Sequence, residues 1–250
     1  METKRREFQG VLNILSFNRH YYLYGFIALA SLFIGRTFFW WPGIVFWLVI
    51  SAFLYGLIMP LIVSAYVYDF SGYYKFEWLD GVINPNKNPQ LIVNINAGFD
   101  ETSFIIKNRF PLADLKVFDF YNPLQHTEPA IKRARKVSLV YPDTQQISSG
   151  SIPLKENSVD IVFLLSAAHE IRSKEEKVSF LKECYRICKP NGIVIMVEHL
   201  RDLPNFLAFS VGFTHFFTRS TWKKAFELAG FSHFRENKFT PFMSVFNCGY

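Results

Sequence analysis

The sequence has almost no charged residues between Tyr21 and Tyr68, where only Arg36 interrupts a long apolar run. A bilayer core of about 30 Å is crossed by a helix of about 20 apolar residues, so the run is long enough for two crossings. We predict membrane helices over about 21–39 and 43–68, joined by a turn at Trp40-Trp41-Pro42-Gly43. Residues 1–72 then form an N-terminal segment with a transmembrane hairpin, and residues 73–250 form a separate domain.

Aromatic residues crowd both ends of the run, as they do at membrane interfaces. Arg36 lies near the end of the first span, where its long side chain can reach the headgroups. A monotopic re-entrant hairpin, a buried core hairpin and a cleaved signal peptide are the alternatives. The amino-terminal bases Lys4, Arg5, Arg6 and Arg19 predict a cytoplasmic amino terminus, and two crossings return residues 73–250 to the cytoplasm.

Cysteine is scarce, and nucleic-acid features are absent. The 3 cysteines form no CxxC pair or Cys/His cluster, which predicts reduced structural thiols and no metal site. The net charge of +6 suits a protein that rests on anionic lipid. Most basic residues are interspersed with acidic ones. We therefore predict the lipid bilayer as a partner and no nucleic acid. The sequence does not indicate an oligomeric state.

After Tyr68, apolar strand patterns alternate with helical ones. A linker over 69–78 leads into an amphipathic helix, and a turn-rich boundary follows at 84–89. This alternation predicts an α/β fold with a doubly wound, mostly parallel sheet. Strands are predicted at 91–96, 116–120, 137–141, 160–166 and 193–198, helices at 100–109, 128–136, 175–188 and 220–229 (with Ser220 as the cap of the last), and a closing hairpin at 231–239 and 242–248.

Three segments carry a recognisable pattern. They read IPLKENSVDIV over 152–162, KECYRICKPNG over 182–192, and VFD over 117–119 followed by ARK over 134–136. Together they resemble class I S-adenosylmethionine-dependent methyltransferases, and most closely the ubiquinone/menaquinone-methyltransferase-like branch. The resemblance covers about Leu91 to Cys248 and implies a Rossmann-like fold with S-adenosylmethionine as cofactor.

Glycine is scarce where that family has a glycine-rich loop. The segment after the first strand reads IVNINAGFD over 92–100, and only Gly98 remains of the glycine triplet. Asp100 stands in place of a glycine, beside Glu101. Three interpretations are open: Asp100 caps a helix, these carboxylates recognise the methionyl ammonium group, or cofactor binding is weakened or lost.

The resemblance implies a cofactor site at the ends of the strands. Asp119 would accept the two ribose hydroxyls, with helix capping as the alternative. Ser148, Ser149 and Ser151 replace the acidic residue often found near the adenine. The full predicted set is Asn94, Asn96, Gly98, Asp119, Phe120, Ser151 and Ser166.

Two pairs are candidates for acid–base chemistry. His169, oriented by Glu170, would accept a proton from the acceptor, although a histidine there can simply pack on the cofactor. Glu198 and His199 form a second candidate pair. Neither pair has metal-ligand spacing.

An aromatic insertion follows His199, at the place where the family binds its acceptor. Phe206, Phe209, Phe213, His215 and Phe216 form either an apolar acceptor tunnel or a core beneath a lid. The resulting prediction is a membrane-anchored methyltransferase with a hydrophobic, aromatic or isoprenoid acceptor. A catalytically silent scaffold or lipid-binding membrane protein is the alternative, and a dinucleotide reductase is disfavoured because the segment lacks GxGxxG.

Overall fold

The computed structural model describes residues 5–83 and 88–250. Its centre is a seven-stranded sheet with the strand order β3-β2-β1-β4-β5-β7-β6. The strands are β1 (Leu91–Asn96), β2 (Asp114–Asp119), β3 (Gln145–Gln146), β4 (Val159–Leu165), β5 (Cys188–His199), β6 (His233–Lys238) and β7 (Met243–Gly249). The helices are α1 (Gln9–Phe17), α2 (Arg19–Phe38), α3 (Gly43–Ser64), α4 (Ser103–Arg109), α5 (Pro129–Ala134), α6 (Lys174–Ile187), α7 (Leu203–Phe209) and α8 (Arg219–Ala229).

The sheet is parallel from β3 to β5, and β7 then pairs antiparallel with both β5 and β6. The inner strands are continuous apolar runs because both faces of the sheet are covered. One core contains side chains of α5, α6 and α8, and the other contains side chains of α4, α7 and the end of α3. The prediction of a doubly wound, mostly parallel sheet is confirmed.

Several predicted elements differ in the structure. β5 begins at Cys188, five residues before its predicted start at 193. Residues 137–141 form a loop rather than a strand, and the edge strand is the two-residue β3. Val137, Leu139 and Val140 are exposed, so their apolar character does not mark a buried strand. Thr218, not Ser220, caps α8, because its side chain accepts the backbone N–H of Thr221.

The apolar run forms two long helices, α2 and α3, joined by a short turn. Both are long and apolar enough to cross a membrane by length and composition, and no residue of α2 is buried. They pack against each other where Gly25 faces Leu57 and where the rings of Phe33 and Phe46 lie 5.3 Å apart. Arg36, in the last turn of α2, places its guanidinium 4.3 Å from the centre of the Phe46 ring.

Helix α3 runs without a break into the segment that leads to the sheet domain. A π-helical turn, Ala65–Phe70, follows it, and two short 3-10 segments, Tyr73–Lys75 and Glu77–Gly81, come next. The predicted amphipathic helix at this position is therefore absent, because Gly72 and Phe76 adopt positive φ angles that interrupt it. Lys4 and most of the predicted boundary at 84–89 lie outside the described residues.

The short helix α1 was not predicted, because the basic residues around it indicated only a cytoplasmic amino terminus. It packs on the loop that follows β1. The backbone N–H of Gly10 donates to Asp69 Oδ1 at 2.9 Å, and the ring of Phe17 meets the ring of Phe99 at 5.2 Å. Helix α1 thereby covers the first strand–helix connection of the sheet.

Candidate active site

The carboxyl ends of β1, β2, β4 and β5 meet at one edge of the sheet. β1 lies between β2 and β4, so the chain leaves these neighbouring strands towards opposite faces. Sheets of this kind bind ligands in the crevice at such a point. The predicted site residues that follow β1, β2, β4 and β5 therefore lie at the same edge of the sheet.

The loop after β1 is built by Asn96 and Gly98. Asn96 Oδ1 accepts the backbone N–H of Gly98 at 2.7 Å, which closes a tight turn. Gly98 has a φ of +80°, and an added Cβ would lie 1.4 Å from Arg135 Nη1, so this position requires glycine. Asn96 Nδ2 is buried and has no hydrogen-bond partner among the described residues. That amide is a donor available to a ligand.

Asp100 caps α4, as one of the three interpretations predicted. Its Oδ1 accepts the backbone N–H groups of Thr102 and Ser103, each at 2.9 Å. Its Oδ2 is buried without a partner among the described residues, so recognition of an ammonium group stays a prediction for Asp100.

The Glu101 carboxylate binds side chains from other parts of the chain. Arg5 pairs with it at 2.8 Å, Asn13 donates to it at 3.2 Å, and the Tyr74 hydroxyl also donates to it. Burial raises the pKa of Tyr74 well above its ordinary value, and the Glu101 carboxylate adds to this effect. Glu101 thus ties α1 to the site.

Asp119 ends β2 where the resemblance places the ribose. Its Oδ1 accepts the backbone N–H of Tyr121 at 2.8 Å, and its Oδ2 accepts from Arg135 Nη1 at 2.6 Å. Arg135 also donates to Ala97 O at 2.9 Å and lies 4.1 Å from the centre of the Tyr121 ring. Both carboxylate oxygens therefore have protein partners, and neither caps a helix.

A cavity of about 450 Å³ opens beside Arg135. This volume lies in the range of small-molecule sites. The cavity is lined by Phe120, Tyr121, Asn122, Pro123, Gln125, Arg135, Gln146, Ile147, Ser148 and Ser149.

Three predicted cofactor residues, Asn94, Ser151 and Ser166, are not among the residues that line this cavity. The Asn94 side chain is buried beneath α4, where its Nδ2 donates to Ser103 Oγ at 2.8 Å. Ser151 takes part in a turn by donating its N–H to Ser148 O at 3.1 Å. Ser166 has a positive φ angle, and its hydroxyl lies 3.3 Å from the Tyr73 hydroxyl. Of the three, Ser166 lies at the end of β4, where that backbone bend turns the chain at the sheet edge.

His169 is oriented by Glu198 rather than by Glu170 as predicted. Its Nδ1 lies 2.7 Å from Glu198 Oε2, and its Nε2 lies 3.4 Å from Glu170 Oε1. Burial alone would lower the pKa of His169, but Glu198 and Glu170 outweigh it and raise the pKa to about 10. The imidazole is then protonated at neutral pH, a state that does not accept a proton.

His199 has both ring nitrogens bonded. Nδ1 donates to the carbonyl oxygen of Phe242 at 2.9 Å, so Nε2 is the acceptor for the Tyr68 hydroxyl at 2.9 Å. Burial lowers the pKa of His199 to about 4, despite its hydrogen bonds to Asn205 and Phe242. His199 joins the end of the hairpin to the sheet, and the structure gives it no free nitrogen for a substrate.

The predicted aromatic pocket residues form one cluster. Ring centres lie 5.1 Å apart for Phe206 and Phe213 and 5.5 Å apart for Phe209 and Phe216, and His199 stacks on Phe216. His215, the fifth predicted residue, lies 5.0 Å from His169, measured between ring centres. The sequence did not indicate the pairing of His215 with His169 or of Glu198 with His169.

This cluster borders the apolar hairpin. The Tyr55 hydroxyl of α3 donates to Leu207 O of α7 at 2.6 Å. Leu203, Leu207 and Val211 are exposed beside this contact. The predicted acceptor region is therefore continuous with the surface of α3.

Residues 116–196 match a family model described as a methyltransferase domain. None of the curated proteins matches the chain by sequence. Among solved structures, human N-acetylserotonin methyltransferase in complex with SAM is 15% identical with a TM-score of 0.51, and the match covers 78% of this chain and 56% of that one. The chain thus spans little more than half the length of that protein.

Two further structures are similar. The PH0226 protein from Pyrococcus horikoshii OT3 is 15% identical with a TM-score of 0.51, over 74% of this chain and 95% of that one. PigF with SAH is 14% identical with a TM-score of 0.51, over 76% of this chain and 58% of that one. At these identities the likeness shows the fold.

The residues at the sheet edge fit the predicted cofactor in part. Gly98, the unpartnered Asn96 amide and the cavity beside Arg135 suit a nucleoside, whereas Arg135 is bonded to Asp119, the carboxylate that would bind the ribose. The match of residues 116–196 to a methyltransferase domain supports S-adenosylmethionine as the cofactor. Residues 116–196 thus resemble a methyltransferase domain, and the chain shares its fold with solved methyltransferases such as the human N-acetylserotonin enzyme.

Proposed function

We propose that this protein is a membrane-anchored S-adenosylmethionine-dependent methyltransferase that acts on a hydrophobic, aromatic or isoprenoid acceptor. The observation that carries the proposal is the contact between α7 and α3, made by Tyr55 and Leu207. It joins the aromatic cluster at the sheet edge to the apolar hairpin. An acceptor dissolved in a bilayer would reach this cluster without crossing water.

Each part of the site has a role in this proposal. The cofactor supplies an electrophilic methyl group on a sulfonium, and the protein positions the reactants and excludes water. Asp119 and the Asn96 amide would hold the nucleoside. The aromatic rings of Phe209 and Phe216 would bind the acceptor and keep the reacting atoms dry.

Membrane anchoring is supported by the exposed surfaces of α2 and α3. Large apolar residues such as Phe26, Phe38, Ile44 and Leu48 are exposed on these helices. Large exposed apolar patches mark membrane or protein contacts. The ubiquinone/menaquinone-like acceptor class and the cytoplasmic position of the catalytic domain belong to the proposal.

One observation favours a catalytically silent scaffold instead. Arg135 fills the position next to Gly98 and bonds to Asp119. A ligand that uses Asp119 must displace this guanidinium.

The test uses the full chain in lipid nanodiscs. We expect calorimetry to detect S-adenosylmethionine binding, and we expect labelled methyl groups to enter a polyprenylated phenol faster than the same phenol without its chain. Asp119→Asn should abolish both signals, whereas Asp143→Asn, an exposed acid, should retain them. Absence of binding at millimolar cofactor would establish the scaffold, and equal rates with both phenols would exclude a lipid-dissolved acceptor.

A further inference from the structure

Three side chains with metal-binding atoms meet at the acceptor end of the site. His169 and Glu170 follow β4, and His215 follows α7. One ligand atom from each lies within 4.8 Å of the other two, and His169 Nε2 is 3.4 Å from Glu170 Oε1. Two histidines and one carboxylate form a ligand set that suits zinc and related metals.

Both histidines are held by a carboxylate on the nitrogen that faces away from the cluster. His169 Nδ1 lies 2.7 Å from Glu198 Oε2, and His215 Nδ1 lies 3.0 Å from Glu128 Oε2. Histidines that bind metals commonly donate their second N–H to a carboxylate in this way, because it fixes the tautomer and the ring orientation. Nε2 of each ring is left for the cluster.

Glu170 is a buried carboxylate with too few partners. Its side chain is 8% exposed, and its Oε2 has no hydrogen-bond partner among the described residues. Burying such a group without a partner is costly. With Glu198 and Glu128 close by, the cluster has three carboxylates, so it can stabilise a cation that replaces the proton on His169 Nε2.

The two segments that carry the histidines are tied together. Arg172 Nη1 donates to His169 O at 3.2 Å and to His215 O at 2.6 Å. The guanidinium is a nearby positive charge, but it is bonded to these backbone oxygens. It holds the two segments next to each other before any ion binds.

We propose that His169, Glu170 and His215 bind a Zn²⁺ ion through His169 Nε2, His215 Nε2 and a Glu170 oxygen. Zinc bonds of about 2.0–2.2 Å in a tetrahedron place neighbouring ligand atoms about 3.4 Å apart. The His169–Glu170 separation already has this value, so binding requires that His169 Nε2 release its proton to solvent as the Zn–N bond forms and that His215 close in. Three protein ligands leave a fourth position open, as in catalytic zinc sites.

The open position indicates the chemistry of the acceptor. An acceptor with an oxygen donor, such as a phenol, would bind the ion beside the aromatic cluster and lose its proton more easily. This extension rests on the proposed methyltransferase function. The zinc site itself does not.

The experiment titrates the full-length protein, purified in detergent and stripped of metal, with Zn²⁺ against a chromophoric chelator. We expect one equivalent to bind, and Co²⁺ in its place should give the visible absorption of a tetrahedral site. Glu170→Gln and His215→Ala should remove this binding, and Glu198→Gln should weaken it about 10–100-fold. His233→Ala, an exposed histidine on β6, is the matched control and should bind normally.

Cofactor binding by the same proteins separates the two proposals. The zinc variants should keep the S-adenosylmethionine affinity of the wild type, which shows that they are folded. Zinc binding without cofactor binding would remove the methyltransferase proposal and leave the metal site. Less than stoichiometric zinc in the wild type, or unchanged affinity in Glu170→Gln and His215→Ala, would overturn the metal site.

Discussion

Asp119 and Arg135 are joined by a charged hydrogen bond at the end of β2. Ribose hydroxyls would need the same carboxylate oxygen, so cofactor binding competes with this ion pair. Hydrogen bonds to charged groups contribute about 1.5–3 kcal/mol. Arg135 therefore lowers the affinity of the site it occupies.

Replacing Arg135 with methionine should tighten S-adenosylmethionine binding by about tenfold, which corresponds to about 1.4 kcal/mol. The change removes the competing guanidinium and keeps an apolar chain against Tyr121. Isothermal calorimetry on the full chain would measure the difference. Lys132→Met, on the exposed side of α5, serves as the control and should leave the affinity unchanged. Weaker binding by Arg135→Met would show that Arg135 instead contacts the cofactor.

Lys177 is a buried cation on α6 with aromatic rather than acidic neighbours. It is 2% exposed, and its Nζ lies 3.3 Å from the centre of the Phe217 ring. Burial lowers the pKa of Lys177 to about 8, with the charge of Arg172 acting in the same direction and Glu198 and Glu176 opposing it. In the unfolded chain the same lysine has its ordinary value of 10.5.

Between pH 8 and pH 10.5, the unfolded chain therefore binds more protons at Lys177 than the folded one. The free energy of unfolding rises with pH in that window. At lower pH Lys177 is charged in both states, and burying that charge destabilises the folded protein by an amount that does not change with pH. Lys177→Met should raise the melting temperature at pH 7.5, and this gain should shrink towards pH 10.5. A gain that does not change with pH would show that Lys177 is not deprotonated in the folded protein.

Residue roles that depend on local patterns could be predicted, and those that depend on distant contacts could not. Gly98 and Asp119 follow from their places at strand ends, and the structure places both against Arg135, which lines the cavity. The contacts of Glu198 and His215 with His169 join segments that are far apart in the chain, so no local spacing indicates them.

At the scale of elements, the position of α1 requires its backbone to lie very close to the chain at the end of the hairpin. A Cβ at Gly10 would lie 2.7 Å from Tyr68 Cβ and 3.1 Å from Ser64 O. Gly10→Ala should thus displace α1 although alanine favours helices. We expect faster hydrogen–deuterium exchange at residues 9–17 and in the covered loop at 98–103.

Gly35→Ala provides the matched comparison. Gly35 also lies in a helix, but nothing lies within 4 Å of an added Cβ there. Its exchange pattern at 98–103 should equal that of the wild type. Equal exchange in both variants would mean that α1 does not protect this loop.

Elements with long apolar runs were predicted well because burial decides them. β1 has the predicted bounds, and β4 and α6 are each displaced by one residue from theirs. β3 was not predicted, because it has only two residues and both are polar. Its pairing with β2 is what identifies it as a strand. The cap of α8 depended on which of two neighbouring hydroxyls accepts a hydrogen bond.

At the scale of the whole molecule, the hairpin tip tests the proposed topology. Trp40 is 89% exposed, and all three cysteines are buried, so a new surface cysteine can be labelled selectively. In intact expressing cells, Trp40→Cys should react with an impermeant maleimide, because two crossings place the tip outside.

Lys223→Cys, exposed on α8, marks the catalytic side. It should react only after the cells are permeabilised. Reaction of both positions only after permeabilisation would indicate the re-entrant hairpin, and reaction of both in intact cells would reverse the orientation.

Helix α3 continues into the π-helical turn, and Val63 and Val67 of these two elements lie in one core of the sheet domain, so the hairpin is packed rigidly against it. With the hairpin in a bilayer, the catalytic edge is held at one height and tilt, and it meets only molecules that diffuse laterally in the adjoining leaflet. Turnover would then depend on the mole fraction of acceptor in the lipid rather than on its bulk concentration. Diluting the acceptor with inert lipid should slow the reaction even when the total amounts of enzyme and acceptor are fixed.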